Sequence, residues 1–323
     1  MKKIQVVEKN QWKLRESVKR AKIHSMYSSA TGYITTDPEL MVIPIDDHLV
    51  HRGDGVFESF KCLNGNIYNL DAHLKRMKDS CSAVGISIPT SLDILKDIII
   101  QTVRASQVQE SLIRVLVSRG LGTMGIDPSE CTGTQLYVIV YKLKKNTNKS
   151  SFSSGVKVIT SKIPVKPGMF ARVKSCNYLP NVLMKKEALD SGVDFSVSID
   201  EEGCLGEGAT ENFGIVTNDN RLLMPPPDRV LAGTTAKRIM LISQTLVRKG
   251  ILLEASYKPI PMEIVKNAME MHVYGTTPNI TSVIELDGIK VGSGLPGPIA
   301  KYLYEQMKVE MLPKSELLTK VFD

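Results

Sequence analysis

Two hydrophobic periods divide this chain. The stretch VFESFKCL runs in strand fashion up to Asn64-Gly65, and IYNL resumes the pattern. Asn-Gly between two such runs predicts a β-hairpin, because both residues accept the positive φ of a tight turn. LDAHLKRMKDSCSAVG and SLDILKDIIIQTVRAS space their apolar residues three and four apart and predict helices. SLIRVLVSRG and TQLYVIVYKL read as strands. A polar run, KLKKNTNKSSFSSG, then breaks the pattern and marks a domain boundary near 144–155.

Beyond it the strands are short. VKVIT opens the second half, FSVSID turns at Glu201-Glu202-Gly203, and NFGIV and RLLMP flank Thr217-Asn218-Asp219-Asn220. Helical patterns cover 234–249, with Ile239, Ile242 and Leu246 on one face, and 262–268. This order predicts an α+β fold of two domains with mixed or antiparallel sheets. There is no βαβ rhythm and no GxGxxG, so a dinucleotide fold is not expected. The expected organisation is a helical extension over 1–26, packing through Trp12 and Val18, a small α/β domain over 27–145, a linker over 146–154 and a large domain over 155–323.

Composition narrows the class. At 323 residues, 42% hydrophobic and 23% charged, the chain is ordinary for a globular protein. The net charge is +7 and the pI about 9.0, yet the lysines are scattered apart from Lys142, Lys144, Lys145 and Lys149 in the polar linker. No nucleic-acid motif accompanies them, so a solvated basic surface suited to anionic small molecules is expected. No apolar run has the length of a membrane span, and the charged N-terminus lacks a secretory core. A cytoplasmic location is expected, with an organellar one left open. Cys62, Cys81, Cys131, Cys176 and Cys204 are widely spaced without CxxC, which reads as free thiols.

The candidate chemistry centres on Lys174. It leads the turn KSCNYLPN, and Glu207 follows in EGATEN. A lysine amine can hold an aldehyde as a Schiff base, and a distant carboxylate can keep a pyridine nitrogen protonated, the two requirements of pyridoxal phosphate. A phosphate cup is the third. Gly-Thr-Thr occurs as Gly233-Thr234-Thr235, opening a helix, and as Gly275-Thr276-Thr277. Glycine admits close approach, and N–H groups with Thr hydroxyls at a helix start form an anion site. Cys176 has no base partner evident in sequence. His48 and His51, in DDHLVHRGD, lack the context of a zinc motif, so no metal is expected.

Seven motifs carry a specific resemblance: HRGDGVFESF, LDAHLKRMKDS, SRGLGTMGIDP, KSCNYLPN, LGEGATENFGIV, VLAGTTAKR and YGTTPNI. In this order, over roughly 27–300, they resemble the fold type IV, class IV pyridoxal-phosphate-dependent aminotransferases. That family includes branched-chain aminotransferases, D-amino acid aminotransferases and aminodeoxychorismate lyases. MVIPIDDHLVHRGDGVF and VKSCNYLPNVLMKKEA resemble plant-type D-amino acid and branched-chain-like members. The resemblance implies the two-domain class IV fold, with the cofactor in the larger domain, and a homodimer whose sites lie between domains.

It also implies residue roles. Lys174 would be the Schiff-base lysine and acid/base, and Glu207 the partner of the pyridinium nitrogen. Arg76 would clamp the phosphate with Gly233, Thr234, Thr235, Thr276 and Thr277, Thr277 also bordering the substrate. Tyr178 would stand beside the ring, and Glu58, Arg52 and Arg114 in the substrate pocket. The implied reaction is transamination between an amino acid and a 2-oxo acid, with branched-chain or related L-amino acids favoured. RGLGTMGIDP lacks the Arg-x-His pair of the D-amino acid enzymes of bacilli, but Arg52 stands where many branched-chain enzymes have Tyr. A D-amino acid transaminase is the first alternative. A lyase giving 4-aminobenzoate and pyruvate is the second, with Glu58 weighing against it. A non-catalytic binding protein is the third, and the intact Lys174 and Glu207 weigh against that.

Overall fold

The computed structural model of the protein describes residues 22–143 and 154–322. The expected helix carrying Trp12 and Val18, and most of the polar linker, lie outside the described residues. The first half comprises β1 (Ile23–Ser28), β2 (Tyr33–Thr35), α1 (His48–Arg52), β3 (Gly55–Leu63), β4 (Asn66–Tyr68), α2 (Leu70–Ala83), α3 (Leu92–Ser106), β5 (Ser111–Ser118) and β6 (Gln135–Lys142). Asn64 and Gly65 have φ of 48° and 74°, and Cys62 faces Ile67 across the hairpin. Ser91 Oγ accepts from the Ile94 N–H at 3.3 Å and starts α3. Both long helices pack on the sheet around Phe60, Leu74, Met77, Leu95, Ile99 and Val103.

The second half comprises β7 (Val156–Thr160), α4 (Met169–Arg172), α5 (Leu179–Asp190), β8 (Phe195–Ile199), β9 (Leu205–Gly208), β10 (Asn212–Val216), β11 (Arg221–Met224), α6 (Thr234–Arg248), β12 (Glu254–Tyr257), α7 (Met262–Lys266), β13 (Glu270–Gly275), β14 (Asn279–Leu286), β15 (Ile289–Lys290) and α8 (Pro298–Glu310). Strands run β10-β13-β14-β7-β8-β9, and β9 pairs back on β10, closing a barrel. Each of its six strands adds to one apolar cluster: Val158, Val197, Leu205, Phe213, Val273 and Val283. β11 and β12 extend the sheet from β10; α6 packs on β12 and α8 on β14 and β13, with Ile239, Leu246 and Leu303 in one cluster.

Three expectations change. Residues 23–26, expected to belong to a helical extension, lie instead in β1, where they pair or pack with β6. The large domain over 155–323 also gives up its end: β16 (Leu318–Lys320) pairs with β4, giving the first sheet the order β16-β4-β3-β5-β6-β1-β2, all antiparallel. Val321 is fully buried in the first core, which anchors the returning strand. Finally, βαβ units exist. β7 and β8 are parallel neighbours with α5 between them in sequence, and β11 and β12 are parallel neighbours across α6. Their strands are four or five residues long, too short to show a buried parallel pattern.

Candidate active site

Lys174 belongs to the second half of the chain, and its backbone is stitched to the first. The Phe57 N–H donates to the Lys174 carbonyl at 2.9 Å, and the Cys176 N–H to the Gly55 carbonyl at 2.8 Å. Val56 and Ser175 thus form a bridge outside the regular sheets. The Lys174 N–H donates to Ser80 Oγ at 3.2 Å. These bonds fix the backbone, so the side chain enters the inter-sheet space from a set position. It is 9% exposed, with Nζ 4.7 Å from the Phe57 ring centroid. Burial, and then the charge of Arg76, bring the amine down to about 8. Such an amine is unprotonated far more often near neutral pH than a surface lysine.

Glu207 lies on β9, where its Oε2 accepts from the Leu231 N–H at 2.9 Å. Burial pushes its carboxyl up, and the opposing influence of Lys166 comes next. Lys166, whose own ammonium is lowered by burial, sits 5.3 Å from the Tyr178 ring centroid. It lines the same recess as Lys174, Tyr178, Asn181 and Glu207. Tyr178 meets Phe57 edge to face, 5.1 Å between centroids, and burial pushes its phenol up.

A cavity of about 270 Å³ opens beside Lys174. Arg76, Thr234 and Thr235 form one wall, and Thr276 and Thr277 line it from the turn between β13 and β14. The α6 N-terminus starts at Gly233 with no side-chain cap. A Cβ on Gly233 would sit 1.8 Å from Asn212 Oδ1, so a side chain there would have to displace Asn212, whose Nδ2 donates to the Leu231 carbonyl at 2.8 Å. Uncapped helix N–H groups beside an arginine make a phosphate site. With a depressed lysine amine and a buried carboxylate on the same cavity system, the residues fit pyridoxal phosphate.

Arg114, on β5, lines the cavity. Its Nε donates to Ser59 Oγ at 3.3 Å, and its guanidinium is 5.0 Å from the Phe57 ring centroid. It makes no ion pair with a carboxylate among the described residues. A guanidinium lining a cavity without a counter-ion is suited to a substrate carboxylate.

Two expected pocket residues lie elsewhere. Glu58 is fully buried behind Arg76, on the opposite face of β3 from Phe57 and Ser59. It accepts from Arg76 Nε at 2.6 Å and Nη2 at 2.8 Å, and contacts His73 Nδ1 at 2.7 Å. Burial opposes its ionisation, but Arg76 and then His73 outweigh it and hold the carboxyl down to about 2. Arg52 does not line the cavity of its own chain. It donates to the carbonyls of Met124 and Gly125, because α1 packs against that loop rather than opening toward Lys174. Burial also pushes the Cys176 thiol up to about 12. His48 contacts the Thr123 carbonyl at 2.9 Å and Cys131 Sγ at 3.3 Å, and no group among the described residues could hold a metal. Sequence reading does not single out Lys166, His73 or Asn181, since only the folded chain gathers them.

The amino-transferase class IV family model matches residues 55–286, and the chain belongs to that family. The chain is 42% identical over 288 residues to the chloroplastic D-amino-acid transaminase of Arabidopsis thaliana, covering 89% of this chain and 76% of that one. It is 29% identical over 266 residues to a putative branched-chain-amino-acid aminotransferase of Methanocaldococcus jannaschii, covering 82% and 90%. In fold it is similar to the branched-chain amino acid aminotransferase of Escherichia coli, at a TM-score of 0.83, 23% identity and coverage of 93% and 100%. A hypothetical aminotransferase from Mycobacterium tuberculosis, in its pyridoxal-phosphate-bound form, gives a TM-score of 0.73 at 22% identity, covering 89% and 99%. Among the described residues no helix is long and apolar enough to cross a membrane.

Proposed function

We propose that this aminotransferase exchanges an amino group between an amino acid and a 2-oxo acid, with Lys174 as the residue that reacts with pyridoxal phosphate. The observation that carries the reading is the depressed, buried Lys174 amine between an uncapped, arginine-lined helix start and a buried carboxylate. When bound, the cofactor supplies an aldehyde that condenses with amines and a ring that accepts the electron pair left by a departing α-proton. Lys174 Nζ is the group that would hold the aldehyde. Arg76, Gly233, Thr234, Thr235, Thr276 and Thr277 would hold the phosphate, Tyr178 would flank the ring, and Glu207 would rest against its nitrogen. Lys174 Nζ, once free, takes the α-proton as a base and returns it as an acid, which suits an amine near neutrality. Arg114 binds the substrate carboxylate and orients the α-carbon. Borohydride reduction of the loaded protein, followed by peptide mass spectrometry, should place the label on Lys174. Label on another lysine would remove the assignment.

For the donor, the 42% identity to a D-amino-acid transaminase supports a D-amino acid over the branched-chain L-amino acid favoured on motifs alone. The branched-chain donor stays the second reading, on the loop GLGTMGIDP and the 29% identity. The burial of Glu58 behind Arg76 means that it no longer separates a transaminase from a lyase. The relatives, named transaminases and aminotransferases, favour the former.

A homodimer is proposed from the exposed apolar side chains of Leu40, Ile45, Met124 and Ile126. Light scattering at assay concentration that returned the monomer mass would end that proposal. A cytoplasmic location is proposed, with a plastid as the alternative because one relative is named chloroplastic. Imaging of a tagged full-length chain decides between them.

A further inference from the structure

Resting on that placement of the cofactor, we propose that His73 is a positioning residue of the phosphate cup, binding the carboxylate partner of Arg76 with one ring nitrogen and the Thr234 hydroxyl with the other. His73 lies on α2, nearly one turn before Arg76, and is buried. Its Nδ1 is 2.7 Å from Glu58 Oε2 and its Nε2 is 3.3 Å from Thr234 Oγ1.

Proton placement follows from the partners. An ionised carboxylate only accepts, so Nδ1 must carry the hydrogen that it shares with Glu58. Burial outweighs the pull of Glu58 and, with Arg76 and Lys174 adding in the same sense, holds the ring below its ordinary range, so the imidazole is neutral. Nε2 is then bare and accepts the Thr234 hydroxyl proton. Thr234 opens α6, and Gly233, Thr234 and Thr235 at this uncapped start line the cavity. With its hydroxyl proton turned to His73, Thr234 meets a phosphate through its backbone N–H rather than through that proton. An unbroken path, Arg76–Glu58–His73–Thr234, ties the arginine on α2 to the helix start on α6. The arginine and the helix start come from different halves of the chain, and His73 is where this path passes between them.

The test uses the apo form of the full chain, titrated separately with pyridoxal phosphate and with pyridoxal, which lacks the phosphate. His73→Asn keeps a donor near Nδ1 for Glu58 but has no atom near Nε2. His73→Gln reaches the Nε2 position with an amide oxygen. Loss of one neutral hydrogen bond predicts that His73→Asn binds pyridoxal phosphate roughly three- to tenfold more weakly. Pyridoxal binding should be unchanged, and His73→Gln should recover most of the loss. Adding His73→Asn to Thr234→Val should cost no further affinity, since both remove one link. Thr234→Val alone reads that link from the other side if His73→Asn does not fold. Wild-type affinity in either single variant, equal losses for both ligands, or additive losses in the double variant would overturn the proposal. A wild-type protein that binds neither ligand would instead overturn the cofactor placement on which it rests.

Discussion

Glu207 on β9 pairs with Asn212 on β10, and this pairing closes the barrel. The side chain assigned to the cofactor ring therefore stands on the seam where the barrel closes. Its backbone is set by strand pairing, and its carboxylate by the Leu231 N–H. Exchange of the carboxylate for an amide leaves both in place. Glu207→Gln should keep fold and cofactor but slow proton transfer from an amino acid by about a hundredfold to a thousandfold, the usual loss when one preorganised electrostatic partner is removed. Stopped-flow absorbance of the first half-reaction reads this, and a wild-type rate would remove Glu207 from the chemistry.

The depressed amine of Lys174 predicts a stability signature in the apo protein. Its folded value, about 8, lies below the ordinary 10.5, so between these values the unfolded chain binds more protons. Below about pH 8 both states carry the charge and the burial cost is present in full. That cost is relieved as pH rises through the window, so this lysine makes stability increase with pH. Lys61, also lowered by burial to about 8, acts in the same sense. The difference between wild type and Lys174→Met therefore isolates the site. Urea midpoints between pH 7 and 10.5 should converge as pH rises, and a constant difference would show an ordinary lysine.

Arg114 should act on substrate and not on cofactor. Arg114→Met should raise the KM for both amino acid and 2-oxo acid roughly 10- to 100-fold, the loss of one charge-assisted contact, with cofactor affinity unchanged. Arg114→Lys should recover little, because an ammonium cannot offer the planar fork. An unaltered KM in Arg114→Met would leave Arg114 as a structural cation held by Ser59 and Phe57.

Lys166 should tune Glu207. It is the largest influence opposing the burial of that carboxyl. Its removal in Lys166→Met should push Glu207 further up, so the acid limb of the half-reaction pH profile should move to higher pH. A limb that stays in place, or moves the other way, would separate the two residues.

Much of the architecture was legible because it is local. Asn64-Gly65 announced its hairpin through residues that accept positive φ, and the two helical stretches of the first half kept an apolar face at the right spacing. The residues proposed for the cofactor stand in short motifs, and the fold brings Lys174, Glu207, Arg76 and both Gly-Thr-Thr turns to the border of one cavity system. Glu58 was misplaced although its strand held the signal. Period-two alternation puts Phe57 and Ser59 on one face of β3 and Glu58 on the other. The return of Leu318–Lys320 to the first sheet, and the approach of His73 to Thr234 and of Lys166 to Glu207, join residues far apart in the chain. Such meetings are products of tertiary packing and leave no local pattern.

The most direct test of the account is the visible spectrum of the cofactor-loaded protein mixed with one amino acid at a time and no 2-oxo acid. D-Ala, L-Leu and L-Glu are compared, with aminodeoxychorismate as the lyase control. The account predicts that D-Ala converts the spectrum to the pyridoxamine form in wild type and not in Lys174→Ala. Conversion by L-Leu instead would reverse the donor assignment and keep the mechanism. No conversion by any amino acid, with pyruvate released from aminodeoxychorismate alone, would contradict transamination itself.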